Sequence, residues 1–369
     1  MTGKERMTIA MTGGIPDRVP VMPQITVPHA IRVLCRDKYI QGMIQAVEDP
    51  MFAIEKIYSV VKLYGADGMR VPLPAGNEDL KVEEQNGGYI IYNKKTGKRL
   101  GFLDMLTGNM ILDEKNYIEN PADVDKIKIP TVDEFYSTRA LQIQKEVCEN
   151  NTLNIMMVGM VGGMAMNYLL EKRGNERALF DLTDEPEFVD ELFEIGTKIG
   201  INRAKALVKS GVDALYIGDA SSSCSLISPG QFERHCFPCY KKFVEELKPL
   251  GKPIYLHICG FVRPIVHLMA QTGVDCIEPL DPLGKMSVRE FREKVGSRTA
   301  LMGGVSTLTV ANGSTADVKN EAVECIKSGG EKGAYILAVG DMVPNESPIE
   351  NVKQLCDTAR NFIYNTGEG

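Results

Sequence analysis

Short apolar runs alternate with amphipathic helical stretches along most of the chain, a pattern typical of parallel strands joined by crossover helices. Eight strands with intervening helices favour a (β/α)8 TIM barrel over a doubly wound sheet, so we predict an α/β fold of the barrel type. No Gly-x-Gly-x-x-Gly turn follows the first run, which weakens the dinucleotide-binding alternative. The eight runs cover residues 19–24, 66–71, 153–160, 214–219, 253–259, 276–280, 299–305 and 334–340.

A long segment separates the second and third runs. Its residues 80–102 alternate in polarity and contain the turn signals Asn-Gly-Gly and Lys-Thr-Gly, which predict β-hairpins inserted between strands 2 and 3. A helix is predicted at 132–149, and another at 228–250 with a kink at Pro238. No linker rich in glycine, serine or proline interrupts the chain. We therefore predict one domain over residues 1–369, with an insertion at about 75–150.

Composition narrows the possible partners and the compartment. The 42 basic and 49 acidic residues give a net charge of -7, so the chain lacks the basic footprint of a nucleic-acid or membrane-surface protein. Its apolar runs are shorter than the roughly 20 residues that span a bilayer. The N-terminal residues do not resemble a signal peptide, and nine cysteines do not form an obvious disulfide framework. We therefore expect a cytoplasmic protein.

Polar residues that end the runs are candidates for catalysis, because barrel active sites lie at the carboxyl ends of the strands. Asp219 and Glu278 are the predicted catalytic carboxylates, and Arg70 and Asp281 the predicted substrate-binding residues. Arg70 would clamp an anionic group of the substrate. Each residue has an ordinary structural alternative: a cap or turn for Asp219, a surface ion pair for Arg70, and solvation in a loop for Glu278 and Asp281.

The fifth run contains His257 and Cys259, which lie two residues apart. Side chains at this spacing share one face of a strand, so both can reach one ion, and imidazole with thiolate is typical zinc chemistry. Asp341, at the end of the eighth run, is the predicted third donor. The alternative is a buried cysteine beside a hydrogen-bonded histidine.

A second group of similar residues consists of His235, Cys236 and Cys239. Its two cysteines belong to an apolar stripe of helical period, and no second pair of ligands follows at a finger-like spacing. We interpret this group as part of the core.

Several segments carry a resemblance to a known family. They are residues 14–20 (Gly-Ile-Pro-Asp-Arg-Val-Pro), 218–219, 226–232, 256–260 (Leu-His-Ile-Cys-Gly), 336–341 and 347–352. Together they resemble the uroporphyrinogen decarboxylase superfamily over essentially the whole chain, and its corrinoid-dependent methyltransferases more than its decarboxylases. The resemblance implies a zinc barrel that moves a methyl group between a substrate or carrier thiol and the cobalt of a separate corrinoid protein.

The same resemblance implies roles for individual residues. His257 and Cys259 fall on the zinc-binding His-x-Cys pair, whereas Asp341 stands where those members have a cysteine ligand. Aspartate is a harder donor than thiolate and leaves zinc a stronger Lewis acid, which favours an O-methyl substrate. The arginine-rich segment by which the decarboxylases clamp propionates has no match in residues 22–27, Met-Pro-Gln-Ile-Thr-Val.

We therefore expect a zinc-dependent methyltransferase that uses a corrinoid carried by a partner protein and a small methylated substrate. The alternatives are transfer from methylcobalamin to a thiol or pterin, uroporphyrinogen decarboxylation, and a binding subunit without metal. Neither nucleic acid nor a membrane is an expected partner, and a homodimer is left open.

Overall fold

The computed structural model describes residues 1–73, 79–113, 117–362 and 364. These residues form a parallel sheet of seven strands and a separate antiparallel sheet of four. In chain order the strands are β1 (Gly68–Val71), β2 (Leu80–Gln85), β3 (Gly88–Asn93), β4 (Arg99–Leu103), β5 (Met110–Leu112), β6 (Met156–Met160), β7 (Ala214–Gly218), β8 (Ile254–His257), β9 (Cys276–Leu280), β10 (Ala300–Val305) and β11 (Tyr335–Val339).

Helices precede and follow most strands of the parallel sheet. In chain order they are α1 (Gly3–Met11), α2 (Val27–Cys35), α3 (Tyr39–Glu48), α4 (Pro50–Tyr64), α5 (Val132–Tyr136), α6 (Arg139–Glu149), α7 (Met166–Arg173), α8 (Asn175–Asp184), α9 (Pro186–Lys209), α10 (Pro229–Gln231), α11 (Phe237–Leu247), α12 (Val266–Gln271), α13 (Val288–Val295), α14 (Thr307–Asn312), α15 (Thr315–Gly329) and α16 (Ile349–Asn361). No helix in these ranges is long and apolar enough to cross a membrane.

The parallel sheet is strongly curled. Its order is β1-β6-β7-β8-β9-β10-β11, so β1 and β11 are its edges. Arg70 on β1 nevertheless reaches Glu278 on β9, with 2.6 Å between Nη2 and Oε2. The nine-residue helix α1 likewise contacts strands from both halves of the sheet, β1 and β6 as well as β10 and β11. Such contacts require that the sheet wraps around a common interior, as the predicted fold class demands.

The first predicted strand is not regular. Residues 19–24 form isolated parallel bridges, of Val21 with Leu337 and of Gln24 with Met342. The carbonyl of Val21 also accepts a hydrogen bond of 2.8 Å from the backbone N–H of Asp67, just before β1. The segment is therefore hydrogen-bonded to both edges of the curled sheet. Pro20 and Pro23 cannot donate ladder hydrogen bonds, which explains why a continuous strand does not form.

The interior of the curled sheet holds apolar side chains of mixed size, from alanine to tyrosine. This cluster combines Met156, Cys276, Ala300 and Ile336 with Met7 and other residues of α1. Helix α1 therefore helps to fill the interior, a role that the sequence analysis did not assign to it. A larger cluster lies between the outer faces of the strands and the surrounding helices. Both faces of the sheet are thus buried, as the continuous apolar runs predict.

The inserted segment contains a four-stranded antiparallel sheet, β2-β3-β4-β5, rather than hairpins alone. A third buried cluster joins this sheet to α2 and α3 through residues such as Ile31, Met43, Val82 and Ile91. The predicted helix at 132–149 is in fact two helices, because Ser137 ends α5 and the side chain of Thr138 caps α6.

The predicted helix at 228–250 also differs in detail. Its middle, Phe232–Cys236, has π-helical hydrogen bonding, and α11 begins at Phe237. Pro238 therefore lies in the first turn of a new helix, where its missing N–H costs no helical hydrogen bond. All nine cysteines are free thiols.

Candidate metal centre

His257, Cys259 and Asp341 converge beyond the carboxyl ends of β8 and β11. His257 is the last residue of β8, and Cys259 lies two residues further, outside the regular strand on which the sequence placed it. One ligand atom from each residue lies within 4.8 Å of the others, and His257 Nε2 is 4.0 Å from Asp341 Oδ1. Among the described residues, these three form the group of histidine, cysteine and carboxylate side chains whose ligand atoms lie close enough together to hold a metal ion.

The other ring nitrogen of His257 is held by a buried carboxylate. His257 Nδ1 is 2.5 Å from Oε2 of Glu278, which lies on the neighbouring strand β9. With Nδ1 donating to Glu278, Nε2 keeps its lone pair and faces Cys259 and Asp341. A carboxylate in this position orients a metal-binding imidazole and fixes its tautomer.

Glu278 also forms a buried ion pair with Arg70, and both side chains are less than one-tenth exposed. Burial by itself would raise the pKa of Glu278, but the charges of Arg70 and His257 outweigh it and the pKa lies below its usual value. A surface ion pair was the structural alternative predicted for Arg70. The observed ion pair is instead buried inside the curled sheet.

Two tyrosines surround the Arg70 guanidinium. Nε donates a hydrogen bond of 2.9 Å to the Tyr255 hydroxyl, and the Tyr216 ring lies 3.9 Å from the guanidinium carbon. The Tyr216 ring also packs edge-on against His257, with 5.6 Å between centroids. The third guanidinium nitrogen, Nη1, is buried and has no hydrogen-bond partner among the described residues. Arg70 is thus fixed in place with one nitrogen unpaired.

The donor set of the cluster fits zinc. It offers nitrogen, sulfur and oxygen, which are the three donor types that zinc accepts from proteins. Tetrahedral zinc ligands lie about 3.5 Å apart, so small side-chain rotations would bring these atoms to that spacing. Burial, together with the charges of Asp341 and Glu278, raises the pKa of Cys259 to about 12. A cation at this point would relieve that repulsion, since its charge favours the thiolate.

Asp219 follows β7, and its backbone N–H donates a hydrogen bond of 3.0 Å to the carbonyl of His257, but its side chain is engaged elsewhere. Its fully buried carboxylate accepts backbone hydrogen bonds of 3.1, 2.8 and 2.7 Å from Met164, Ala165 and Asn167, at the start of α7. Burial raises the pKa of Asp219, and the three N–H groups act against that rise. This is the capping geometry that the sequence analysis named as the structural alternative.

Asp281 follows β9 at the same end of the sheet. Its Oδ1 accepts a hydrogen bond of 2.8 Å from the backbone N–H of Leu283 and caps a short turn. Burial and the nearby charge of Asp341 raise the pKa of Asp281. The structure therefore brings Glu278 to His257 directly, Arg70 to His257 through Glu278, and Asp281 to the edge of the same region.

Tyr216 and Tyr255 are not among the site residues predicted from the sequence. Tyr255 lies two residues before His257 on β8, so strand alternation alone places it on the same face. Tyr216 lies on the adjacent strand, directly paired with Tyr255.

These features define a class of protein: a curled parallel sheet with a candidate metal centre at the carboxyl ends of its strands. The model of the uroporphyrinogen decarboxylase (URO-D) family matches residues 103–362. The chain belongs to this family.

Curated relatives include both activities of the family. The methylcobamide:CoM methyltransferase MtbA of Methanosarcina mazei is 27% identical over 68% of this chain and 71% of its own length. The uroporphyrinogen decarboxylase of Carboxydothermus hydrogenoformans is 23% identical over 66% of this chain and 70% of its own. A solved structure of a Methanosarcina mazei methyltransferase covers 98% of this chain and 99% of its own, with 21% identity and a TM-score of 0.77, and shows the shared fold.

The predicted family membership, the greater similarity to methyltransferases and the assignment to an enzyme of this kind are confirmed by these relatives.

Proposed function

We propose that this chain is a zinc-dependent methyltransferase, which moves a methyl group between a small methylated substrate and the cobalt of a corrinoid carried by a partner protein. The observation that carries the proposal is the convergence of His257, Cys259 and Asp341 at one point. Curated relatives named as methylcobamide:CoM and methylated-thiol:CoM methyltransferases support the reaction class. The proposed compartment is the cytoplasm, where the free cysteines would stay reduced.

Residues around the three donors hold the site in position. Glu278 holds the His257 ring so that Nε2 faces the other two donors, and Arg70 neutralises Glu278. Tyr216 and Tyr255 bury this charged pair and keep water from it. When bound, zinc would supply a Lewis acid that makes the heteroatom of the methylated substrate a better leaving group.

Asp341 favours an oxygen-linked methyl group over a sulfur-linked one. With two anionic donors and one neutral imidazole, the ligand set balances the charge of a divalent ion. A carboxylate is a harder donor than a thiolate and donates less electron density to the metal. The metal therefore stays a stronger Lewis acid. We therefore place O-demethylation, with methyl transfer to the corrinoid, ahead of transfer to a thiol or pterin.

The surroundings of the site suit a large partner. Phe261, Leu283 and Met342 are 37%, 54% and 49% exposed and lie on the loops that follow β8, β9 and β11. His257 and Cys259 lie at the end of β8 and on the loop after it, and Asp341 lies on the loop after β11. Glu278 lies on β9. Exposed apolar side chains around a site are typical of protein interfaces, and a partner must cover this end for its cobalt to reach the substrate.

Two alternatives follow from the sequence. For uroporphyrinogen decarboxylation, four propionates would need cations, yet residues 22–27 contain no arginine and Arg70 is already paired with Glu278. A metal-free binding subunit would need no converging donors.

The test combines metal analysis with turnover. Purified, zinc-reconstituted protein is assayed with methoxylated aromatics, methylated amines and methylated thiols, and cob(I)alamin consumption is followed by its absorbance. We expect about one zinc per chain and turnover of an oxygen-linked substrate. Absence of zinc after reconstitution would favour the binding subunit, and release of carbon dioxide from uroporphyrinogen would favour the decarboxylase.

A further inference from the structure

The side chain of Tyr216 ends in a hydroxyl group that forms no hydrogen bond with the described residues. Tyr216 is the polar residue of β7, and it is 7% exposed. Its hydroxyl is not one of the fully enclosed unpaired atoms in the described part of the chain, so it keeps contact with solvent. A tyrosine packed this closely usually hydrogen-bonds to the protein. Here the bond is left for a group that enters from outside.

The aromatic ring of Tyr216 is held from two sides. Its centroid lies 3.9 Å from the guanidinium carbon of Arg70, and the ring meets the His257 ring edge-on, with 5.6 Å between centroids. Neither contact uses the hydroxyl group. The ring therefore fixes the direction of the hydroxyl, and a phenylalanine would keep both contacts.

The place of the hydroxyl follows from Gly218, the last residue of β7. A Cβ atom at Gly218 would lie 2.4 Å from the Tyr216 hydroxyl oxygen, so the tyrosine fills the space that the glycine leaves open. Gly218 is the register partner of His257 on β8. Neighbouring strands lie about 4.8 Å apart. The hydroxyl is therefore next to His257, at the carboxyl end of the sheet.

The other groups of the site approach His257 from different directions. Glu278 binds its Nδ1 from β9, Cys259 follows β8, and Asp341 follows β11. Strand β7 borders β8 on the side opposite to β9. Tyr216 is thus on the side of His257 that Glu278 leaves open. Burial raises the pKa of Tyr216 to about 12, and the charges of Asp341 and Cys259 act in the same direction.

We propose that Tyr216 is a catalytic residue whose hydroxyl donates a hydrogen bond to the oxygen atom of the methylated substrate during methyl transfer. The inference rests on the proposed function, which supplies zinc beside His257 and an oxygen-linked methyl group. In this step the methyl carbon bonds to cobalt(I) of the corrinoid through the electron pair of the cobalt, and the C–O bond breaks. The electron pair of that bond stays on oxygen. Tyr216 stabilises the resulting negative charge and keeps its own proton.

Such a hydrogen bond distinguishes between substrates. It strengthens as charge develops on the oxygen, so it lowers the barrier more than it improves substrate binding. It contributes most where the oxygen carries the charge alone, and less where the rest of the leaving group shares the charge. Sulfur is a weak acceptor, so a methyl thioether gains little from Tyr216.

The experiment compares wild-type protein with Tyr216→Phe, both loaded with zinc and assayed by the consumption of cob(I)alamin. The methyl donors are methoxybenzene, 4-nitromethoxybenzene and (methylthio)benzene. We expect kcat to fall about a hundredfold for methoxybenzene, about tenfold for the nitro compound and under about threefold for the thioether. Zinc content and the midpoint of thermal unfolding should not change, because the ring contacts remain.

A second readout does not depend on turnover. Phenol, the product of methoxybenzene, is titrated by calorimetry into the zinc-loaded protein without cobalamin. Its affinity should fall about tenfold in Tyr216→Phe, because one hydrogen bond is lost. The matched control is Tyr335→Phe on β11, since the Tyr335 hydroxyl is buried and donates a hydrogen bond of 2.6 Å to the carbonyl of Gly303. This variant should change neither the phenol affinity nor the ratio of ether to thioether rates.

The outcomes separate this inference from the proposed function. Equal losses for ether and thioether, an unchanged phenol affinity in Tyr216→Phe, or the same changes in Tyr335→Phe would overturn the inference alone. Wild-type protein that binds no zinc, or that demethylates none of the three compounds, would count against the proposed function and would remove the inference with it.

Discussion

Two clusters of this chain contain the same residue types but differ in what they can do. His257 lies with Cys259, and His235 with Cys236 and Cys239. In both, the histidine is buried and its Nδ1 is 2.5 Å from a carboxylate oxygen, Glu278 Oε2 in one case and Asp190 Oδ1 in the other. Composition and local spacing therefore do not separate a candidate metal centre from an ordinary part of the core.

The difference lies in where the sulfur atoms point. Cys236 and Cys239 face the apolar interior beneath α11, and Cys239 Sγ donates a hydrogen bond to the carbonyl of His235. Burial raises the pKa of Cys239 to about 12, and that of Cys236 well above its usual value. Cys259 is instead only partly buried and faces Asp341, a third donor from a distant strand. A metal site needs several donors from separate elements whose ligand atoms converge, and among the described residues such a group of three forms at His257.

The largest expected difference between the clusters is in metal content. His257→Ala or Cys259→Ala should lower bound zinc from about one per chain to near zero, because one of three protein donors is removed. His235→Ala should retain zinc. Elemental analysis of the purified variants, with circular dichroism to confirm folding, measures this. Zinc loss in His235→Ala but not in His257→Ala would reverse the assignment of the two clusters.

The third donor sharpens the comparison, since the second cluster has no counterpart to Asp341. Asp341→Ala should lose zinc affinity and methyl transfer together. Asp341→Cys should retain zinc, because a thiolate replaces a carboxylate at equal charge, and should cleave an ether more slowly while activating a thiol better.

Rates with oxygen-linked and sulfur-linked methyl donors, measured for both Asp341 variants, decide this point. Full zinc occupancy with unchanged rates in Asp341→Ala would remove Asp341 from the site and redirect the search for a donor to Glu278.

The two histidine-bound carboxylates should differ in their effect on stability. Glu278→Gln would leave the buried charge of Arg70 without a counterion, and we expect a loss of about 3–5 kcal/mol. Asp190 is 45% exposed, so Asp190→Asn should cost under about 1 kcal/mol. Urea unfolding in the presence of a chelator compares them without a metal contribution. Similar losses in both variants would show that the Arg70 ion pair does not stabilise the fold.

The same ion pair predicts how stability depends on pH. The folded-state pKa of Glu278 lies below its ordinary value of 4.5 despite burial, because Arg70 and His257 favour the carboxylate. The contribution of the ionised Glu278 to the free energy of unfolding should be complete above pH 4.5, the ordinary pKa value. It should decrease as the pH falls through the lower folded-state pKa. Glu278→Gln should flatten this part of the stability profile, and an unchanged slope would contradict the assigned charge.

The smallest expected effect concerns the cysteines themselves. Cys236→Ala would leave a cavity at a fully buried position and should cost about 1–3 kcal/mol, whereas Cys259→Ala, nearer the surface, should cost under about 1 kcal/mol without zinc. Thermal unfolding of the chelated proteins measures both. A larger loss in Cys259→Ala would mean that this cysteine is the structural one.

Much of this molecule could be predicted from local pattern. Alternating apolar runs and helical stretches predicted the parallel strands, because burial on both faces leaves a continuous apolar signature. The spacing of His257 and Cys259 predicted their common direction, and the helical period of Cys236 and Cys239 predicted their place in the core. For the inserted segment, the pattern predicted hairpins where the structure has a four-stranded sheet. For residues 19–24, it predicted a regular strand where the structure has isolated bridges. In both places, pairing with distant strands determines the outcome.

Only the tertiary structure decided which side chains meet. The sequence by itself determined that strand-end residues of the apolar runs are polar and that a donor pair lies in one of them. It could not show that Arg70 reaches Glu278, or that Glu278 holds His257. Nor could it show that backbone N–H groups engage Asp219. These contacts depend on the curl of the sheet, which brings residues more than 200 positions apart within hydrogen-bond distance, as for Arg70 and Glu278. Side-chain contacts at such separations leave no periodic trace in a single sequence.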